Sequence, residues 1–235
     1  MEAKARTIES YLTAGGQCPF EQWMDKLRGD TIHGRIIDRL EKVKRGNLGD
    51  WKALGEGANE LRIDFGEGYR VYFGFDGDKI ILFAVERKDS PKASQRQRGI
   101  GETTMPKRTR SYDSWLLKEL TDPVVAADYI NAASEDSEEM LLVAMRNVAE
   151  SHKMSRVAEE ASVNRESLYK TLSAEGNPRL GNFRSILDVF GLKVLVAPKE
   201  AVRAERKIAQ PTIGSGSRVN LSASVKRKRR TKSKK

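Results

Sequence analysis

Cysteine and histidine are nearly absent from this chain of 235 residues: Cys18 is the only thiol, and His33 and His152 are the only imidazoles. One cysteine excludes an intrachain disulfide and a cysteine-built zinc site. Two histidines so far apart argue against a metal site or histidine-based catalysis, and each reads as a surface residue rather than a ligand. No run of about 18 apolar residues occurs, so no segment is expected to span a membrane. The opening MEAKARTIES lacks the apolar stretch of a signal peptide, which makes the cytoplasm the expected compartment. No cofactor is expected.

Charge, by contrast, is plentiful. Charged residues make up 32% of the chain, hydrophobic ones 38%, and the net charge is +10. That balance suits a globular protein long enough for two small domains. The positive excess is localised: residues 1–104 carry a net +1, residues 105–198 a net −2 and residues 199–235 a net +11. Neither half before the tail is basic on average, so a nucleic-acid site there must be a local patch.

Periodicity divides the chain. Phe20, Trp23 and Leu27 mark one helical stripe, and Ile36, Ile37, Leu40 and Val43 a second. A glycine-rich connection follows (Gly46, Gly49, Gly55, Gly57). Strand alternation then places Leu61, Ile63 and Phe65 on one face, with Arg62 and Asp64 on the other. Gly66-Glu67-Gly68 can turn the chain, and Val71, Phe73 and Phe75 resume the alternation against Arg70 and Tyr72. Asp76-Gly77 suits a hairpin turn before the apolar run from Ile80 to Val85. The expected fold of residues 1–88 is α+β, two N-terminal helices on one face of an antiparallel sheet. Residues 89–112 are polar and read as a linker. Residues 113–198 read as all-α, with stripes at Leu141, Leu142, Met145 and Val148, at Val157, Ala158 and Ala161, at Leu168 and Leu172, and at Phe183, Ile186, Leu187 and Phe190. Residues 199–235, rich in serine and lysine, read as a disordered basic tail.

The stretch from Met154 to Leu172, MSRVAEEASVNRESLYKTL, has the spacing of two short helices crossing at a tight turn. Ala158 and Ala161 are small where the helices approach, Val163 fills the corner, and Asn164 suits the N-cap of the second helix. Leu168 and Leu172 face inward, leaving Arg165, Glu166, Tyr169 and Lys170 outward. In a helix-turn-helix these outward residues would meet DNA, Arg165 at a guanine edge and Lys170 at a phosphate. An ordinary αα-hairpin would show the same periodicity.

Residues 105–198 resemble the HigA-type antidote proteins of addiction modules, within the Xre/Cro-like helix-turn-helix group. The resemblance runs from Val157 through Leu172, through SAEGNPRLGNF with its Gly176-Asn177-Pro178 step, to VFGLKV at Val189 to Val194. It implies a domain that binds operator DNA as a homodimer. Met105-Pro106 looks like the start of such a protein, here internal.

The block from Gly46 to Phe73, GNLGDWKALGEGANELRIDFGEGYRVYF, resembles the HigB-like killer proteins of the RelE/ParE superfamily, whose genes adjoin those of HigA-type antidotes. The resemblance implies an endoribonuclease that cuts mRNA on the ribosome without metal. Such cleavage needs cations around the phosphate and a group that shuttles protons. Arg70 matches the family's catalytic arginine, Arg62 and Lys52 match basic positions that grip RNA, and Tyr72 is the candidate shuttle. Alternatively, Arg62 and Arg70 could pair with Glu60, Asp64 or Glu67 on a solvated face, and Tyr72 could pack at the sheet edge. The family's closing Gly-Gly-x-Lys-Ser-Ser-Gln step is altered here. Lys88 or Lys92 can stand for its lysine, the glycines are gone, and Pro91 interrupts. The segment resembles a junction of two adjacent genes. The whole reads as a toxin–antitoxin fusion whose halves contact each other within the chain; the alternative is a DNA-binding regulator carrying an inactive toxin remnant. The run from Lys226 to Arg230 suits non-specific phosphate contact or simple solvation.

Overall fold

Short polar side chains set where the helices begin. Asp30 accepts a hydrogen bond from the Ile32 amide at 3.2 Å and opens α2 (Thr31–Lys44). Ser111 does the same for α3 (Tyr112–Glu119), Asp122 for α4 (Pro123–Asp136) and Ser137 for α5 (Glu138–Ser151). Each cap satisfies an N–H that has no partner inside the helix, and Pro123 at the first position of α4 has no N–H to satisfy. The remaining described helices are α1 (Pro19–Lys26), α6 (Met154–Glu160), α7 (Arg165–Thr171) and α8 (Leu180–Val189). The computed structural model describes residues 4–90, 108–173, 176–196 and 198. Lys92, Met105-Pro106 and the basic tail lie outside the described residues. No helix among the described residues is long and apolar enough to cross a membrane.

Among the described residues six strands form one sheet in the order β2-β3-β4-β5-β1-β6. They are β1 (Thr7–Tyr11), β2 (Trp51–Gly55), β3 (Ala58–Ile63), β4 (Tyr69–Asp76), β5 (Lys79–Arg87) and β6 (Thr109–Ser111). The alternation expected of β3 and β4 and the apolar run expected of β5 are present, and β4 turns into β5 through Gly77 and Asp78. The expected antiparallel sheet is, however, mixed. β1 precedes the helices and pairs in parallel with β5, Ile8 opposite Ile80. In TIESY only Ile8 is a large apolar residue on the buried side, so the strand carries almost no periodic signal. β2 lies inside the glycine-rich connection, and β6 lies in the stretch read as a linker.

One continuous core joins the two halves of the chain. Helix α2 is buried on two sides: Ile36 and Leu40 belong to the same apolar cluster as Val71, Phe73 and Leu82 of the sheet and Tyr129 and Ala133 of α4. The α2–α4 contact is close enough to demand glycine at position 34, where a Cβ would stand 2.2 Å from the Asp128 carbonyl oxygen. Within the seam Asn147 Nδ2 donates to buried Glu41 at 3.1 Å and to Tyr129 Oη at 3.0 Å. Burial pushes the Glu41 carboxyl above its usual range.

Along α2 the charge has one polarity, and at the β6 end it reverses, Arg110 meeting Glu21 at 2.9 Å. Bases on or beside α2 meet acids from residues 113–139: Arg28 with Glu119 at 2.6 Å, Lys42 with Asp136 at 2.5 Å, Lys44 with Asp113 at 2.6 Å, Arg35 with Glu135, and Arg45 with Glu139. Exposed pairs of this kind contribute little energy singly, but a row of them favours one alignment of the two surfaces. At the sheet edge β6 adds to β1 in antiparallel register, Ser10 opposite Arg110.

His33 corrects an expectation. It is fully buried in α2 beside Trp115 of α3, rather than on the surface. Burial, reinforced by nearby Arg28, lowers its pKa to about 4, so the ring is neutral. His152 is half-buried and stacks on Phe190 at 5.5 Å.

Candidate functional site

Strand register brings the charged residues of the N-terminal half onto one face. Lys52 stands opposite Glu60, which stands opposite Tyr72; Arg62 stands opposite Arg70, which stands opposite Glu86. The other face of the same strands carries Leu61, Ile63, Val71, Phe73 and Val85 into the core. Beyond the apolar cluster the charged face opens into a cleft of about 350 Å³, lined by Asp50, Arg62, Asp64, Tyr69, Arg70 and Lys88 together with Gly68.

Two guanidiniums directly opposite each other on neighbouring strands repel. Glu60 offsets that repulsion. It is 1% exposed and uses both carboxylate oxygens: Arg62 Nε donates to one at 3.0 Å and Arg70 donates to the other at 2.7 Å. Both arginines also line the cleft, and a guanidinium has five N–H donors with which to meet an anion. Arg62 also lies 3.9 Å from Asp50. Lys88 is exposed at the cleft wall, its backbone amide donating to the Gly68 carbonyl. The lining itself holds the acids Asp50 and Asp64 against the bases Arg62, Arg70 and Lys88, and buried Glu60, bonded to both arginines, brings acids and bases level.

Tyr72 lies outside the cleft lining. A bulge in β5 opposite Tyr72 and Phe73 places Phe83 on the same side as Ile81 and Ala84. Those residues, with Tyr11 and Leu54, cover the Tyr72 ring completely. Tyr69 is the tyrosine that lines the cleft, its ring set edge-on to Trp23 at 5.9 Å. Burial raises the Tyr69 pKa, with nearby Asp30 adding to the shift. Its place next to Arg70 in the Gly-Tyr-Arg step was the available signal. Lys52 is exposed on the neighbouring edge strand.

A second candidate surface lies on α7. Helices α6 and α7 are joined by a turn in which Ser162 takes φ +55 and the Val163 amide donates to the Ala158 carbonyl at 2.9 Å. Leu168 and Leu172 are buried. The Asn164 side chain caps α7, accepting from the amides of Glu166 at 2.9 Å and Ser167 at 3.4 Å. Arg165, Glu166 and Lys170 are exposed, and half-buried Tyr169 lies between the guanidiniums of Arg165 and Arg146 at 5.8 and 5.9 Å. Those distances suit cation–π attraction and hold Arg165 against the helix surface. After α7, Gly176 passes so close that a Cβ there would lie 2.0 Å from the Thr171 carbonyl oxygen.

Comparison with known proteins bears on the second half of the chain. Residues 111–198 match a family described as "Probable addiction module antidote protein". Two curated relatives are uncharacterised proteins of Haemophilus influenzae (strain Rd). One is 43% identical over 63 residues, 27% of this chain and 64% of the relative. The other is 35% identical over 69 residues, 29% of this chain and 71% of the relative. The chain thus spans 64% of the length of the first and 71% of the second. No solved structure matches.

Proposed function

The chain belongs to the addiction module antidote family through residues 111–198, and from that premise we propose that it is a toxin and its antidote in one polypeptide. An antidote has a toxin as its partner, and the antidote segment of this chain is seated on the N-terminal half. The seam of α2 with α4 and of β1 with β6 is the observation that carries the reading. Residues 1–88 are the RelE/HigB-like toxin, residues 89–112 the junction, residues 113–198 the HigA-like domain and residues 199–235 a basic tail. Both halves share one chain, so the antidote meets the toxin as an intramolecular partner and the full chain is held in check.

The toxin half cuts mRNA on the ribosome. A 2′-hydroxyl attacks the adjacent phosphorus, the 5′-oxygen leaves, and Arg70 stabilises the charge that develops between them. Arg62, Lys52 and Lys88 grip the flanking phosphates, Lys92 lies beyond the described residues, and Glu60 holds the two arginines in position. Proton transfer falls to Tyr69 rather than Tyr72, because only Tyr69 lines the cleft. The described lining comes entirely from residues 50–88, so the antidote restrains the toxin through its bulk on α2 and β1. The HigA-like domain acts as an autorepressor. Its helix-turn-helix, α6 and α7, sets α7 into the major groove of operator DNA, with two copies of the chain on two half-sites. Arg165 reads a base, Glu166 and Tyr169 frame it, Lys170 contacts a phosphate, and Asn164 fixes the start of the helix.

One observation favours a second reading, a DNA-binding regulator with an inactive toxin remnant. Acids match bases around the cleft, which weakens its pull on RNA. Expression of residues 1–104 without the antidote half separates the two, since an active toxin arrests growth and a remnant does not.

A further inference from the structure

Two carboxylates stand in a cleft whose arginines suit RNA phosphate. Asp50 and Asp64 line it together with Arg62, Arg70 and Lys88. Each carboxylate repels the phosphates that the bases attract, so each weakens backbone binding unless it meets a donor. Asp50 lies 3.9 Å from Arg62 and serves as its counter-charge. Asp64 is exposed, and among the described residues its side chain has neither an ion pair nor a hydrogen bond.

The neighbours of Asp64 match the rest of a nucleotide. Arg62 precedes it by two residues, about 7 Å along an extended chain, and Arg70 stands opposite Arg62. The lining also includes Gly68, which has no side chain, and the ring of Tyr69, set edge-on to Trp23 at 5.9 Å. A pair of guanidiniums, an aromatic wall fixed from behind and a free carboxylate thus share a cleft of about 350 Å³. They offer counterparts for the phosphate, the ring face and the hydrogen-bonding edge of one unpaired nucleotide.

We infer that Asp64 reads a guanine base in this cleft. The inference rests on the ribonuclease reading above and adds the base that the cleft selects. An ionised carboxylate only accepts, through two oxygens side by side. Among the four RNA bases guanine alone presents two adjacent N–H donors, N1 and N2, on its Watson–Crick edge, so both oxygens are used at once. Adenine and cytosine present one amino group beside a ring nitrogen that accepts, and uracil presents one N–H between two carbonyls. Each of these sets an acceptor against the carboxylate. The charge that lowers affinity for the RNA backbone thereby selects the base.

The described lining comes entirely from residues 50–88, so the full chain serves for the test. Isothermal titration calorimetry at neutral pH compares the 5′-monophosphates GMP, IMP, AMP and UMP; IMP keeps every group of GMP except the N2 amine. GMP should bind about tenfold more tightly than IMP, with AMP and UMP no better than IMP. Asp64→Asn alters an exposed position, so the circular dichroism spectrum is retained while GMP falls to the level of IMP. Arg70→Ala weakens all four alike and leaves the ratio of GMP to IMP unchanged, which separates phosphate from base. Equal affinity for GMP and IMP, a ratio untouched by Asp64→Asn, or no binding of any of the four at millimolar concentration would overturn the assignment. Cleavage by residues 1–104 is scored separately. A preference for GMP without cleavage leaves the base recognition standing and defeats the ribonuclease reading, whereas cleavage at sites that show no preference for guanine overturns the assignment of Asp64.

Discussion

A methyl group at Gly34 would press directly on the backbone of α4. Its Cβ would lie 2.2 Å from the Asp128 carbonyl oxygen, 2.3 Å from the carbonyl carbon and 2.6 Å from the Tyr129 amide nitrogen. Carbon contacts are comfortable at about 3.5–4 Å, so α2 and α4 must part by about 1 Å. Two effects compete. Alanine is a better helix former than glycine by about 1 kcal/mol, whereas overpacking a core costs roughly 1–3 kcal/mol. The atoms that would have to yield are backbone, which places the second effect at the upper end of its range. The expected outcome for Gly34→Ala is a net loss of about 2 kcal/mol. Gly181→Ala is the control. It lies at the start of α8, where a Cβ meets nothing within 4 Å, and stability should hold or rise by a few tenths of a kcal/mol. Urea denaturation at neutral pH, with slopes compared to confirm a common transition, measures both. If Gly34→Ala lost less than about 0.5 kcal/mol, the α2–α4 seam would not be packed as described, and the docking of residues 113–198 on the N-terminal half would be refuted.

Two further outcomes are expected. Arg165→Ala should weaken operator binding by roughly 1–3 kcal/mol and relax one position of the site; equal loss on random DNA would demote Arg165 to a phosphate contact. His33 should make stability fall in mild acid. Its pKa is about 4 in the folded chain against an ordinary 6.5, so the unfolded chain binds the proton first and stability is lost as pH drops between those values. The loss attributable to His33 approaches about 3 kcal/mol near the lower limit. Burial sets this shift, with Arg28 reinforcing it and Asp25 and Asp122 opposing it. Buried Glu41 and Asp38, whose pKa values are raised, contribute stability of the opposite pH trend, so the comparison must be between parent and His33→Phe. Equal pH profiles in urea titrations of the two proteins would refute the assignment.

The sequence made some elements legible and hid others for physical reasons. Alternating residues such as Leu61, Arg62, Ile63 and Arg70, Val71, Tyr72 announce β3 and β4 because one face is buried and the other polar. Strand β1 hides because its buried side carries Ile8 and Ser10, and a hydroxyl does not register as hydrophobic. β6 hides because three residues added to an edge need no pattern beyond backbone pairing. Arg62 and Arg70 could be placed on one face from period two alone. The burial of Tyr72 could not, because it depends on a one-residue bulge in β5 that brings Phe83 to its ring and that no periodicity reveals. The burial of His33 was equally invisible. It lies on a helix that is covered twice, once by its own sheet and once by α4, whose partner sequence begins almost 90 residues later.

Under the proposed function, residues 1–104 carry a toxin which residues 113–198 restrain. Inducible expression in a bacterium of the full chain, of residues 1–104, and of residues 1–104 with Arg70→Ala, scored by growth and by mapping of mRNA ends, tests it most directly. Normal growth is expected with the full chain, and arrest with cleaved translated mRNA from residues 1–104. No arrest is expected from the Arg70→Ala fragment, although that fragment melts as cooperatively as its parent. A fragment of residues 1–104 that melts cooperatively yet leaves growth and mRNA untouched would contradict it, and the protein would then be a DNA-binding regulator built on a toxin's remains.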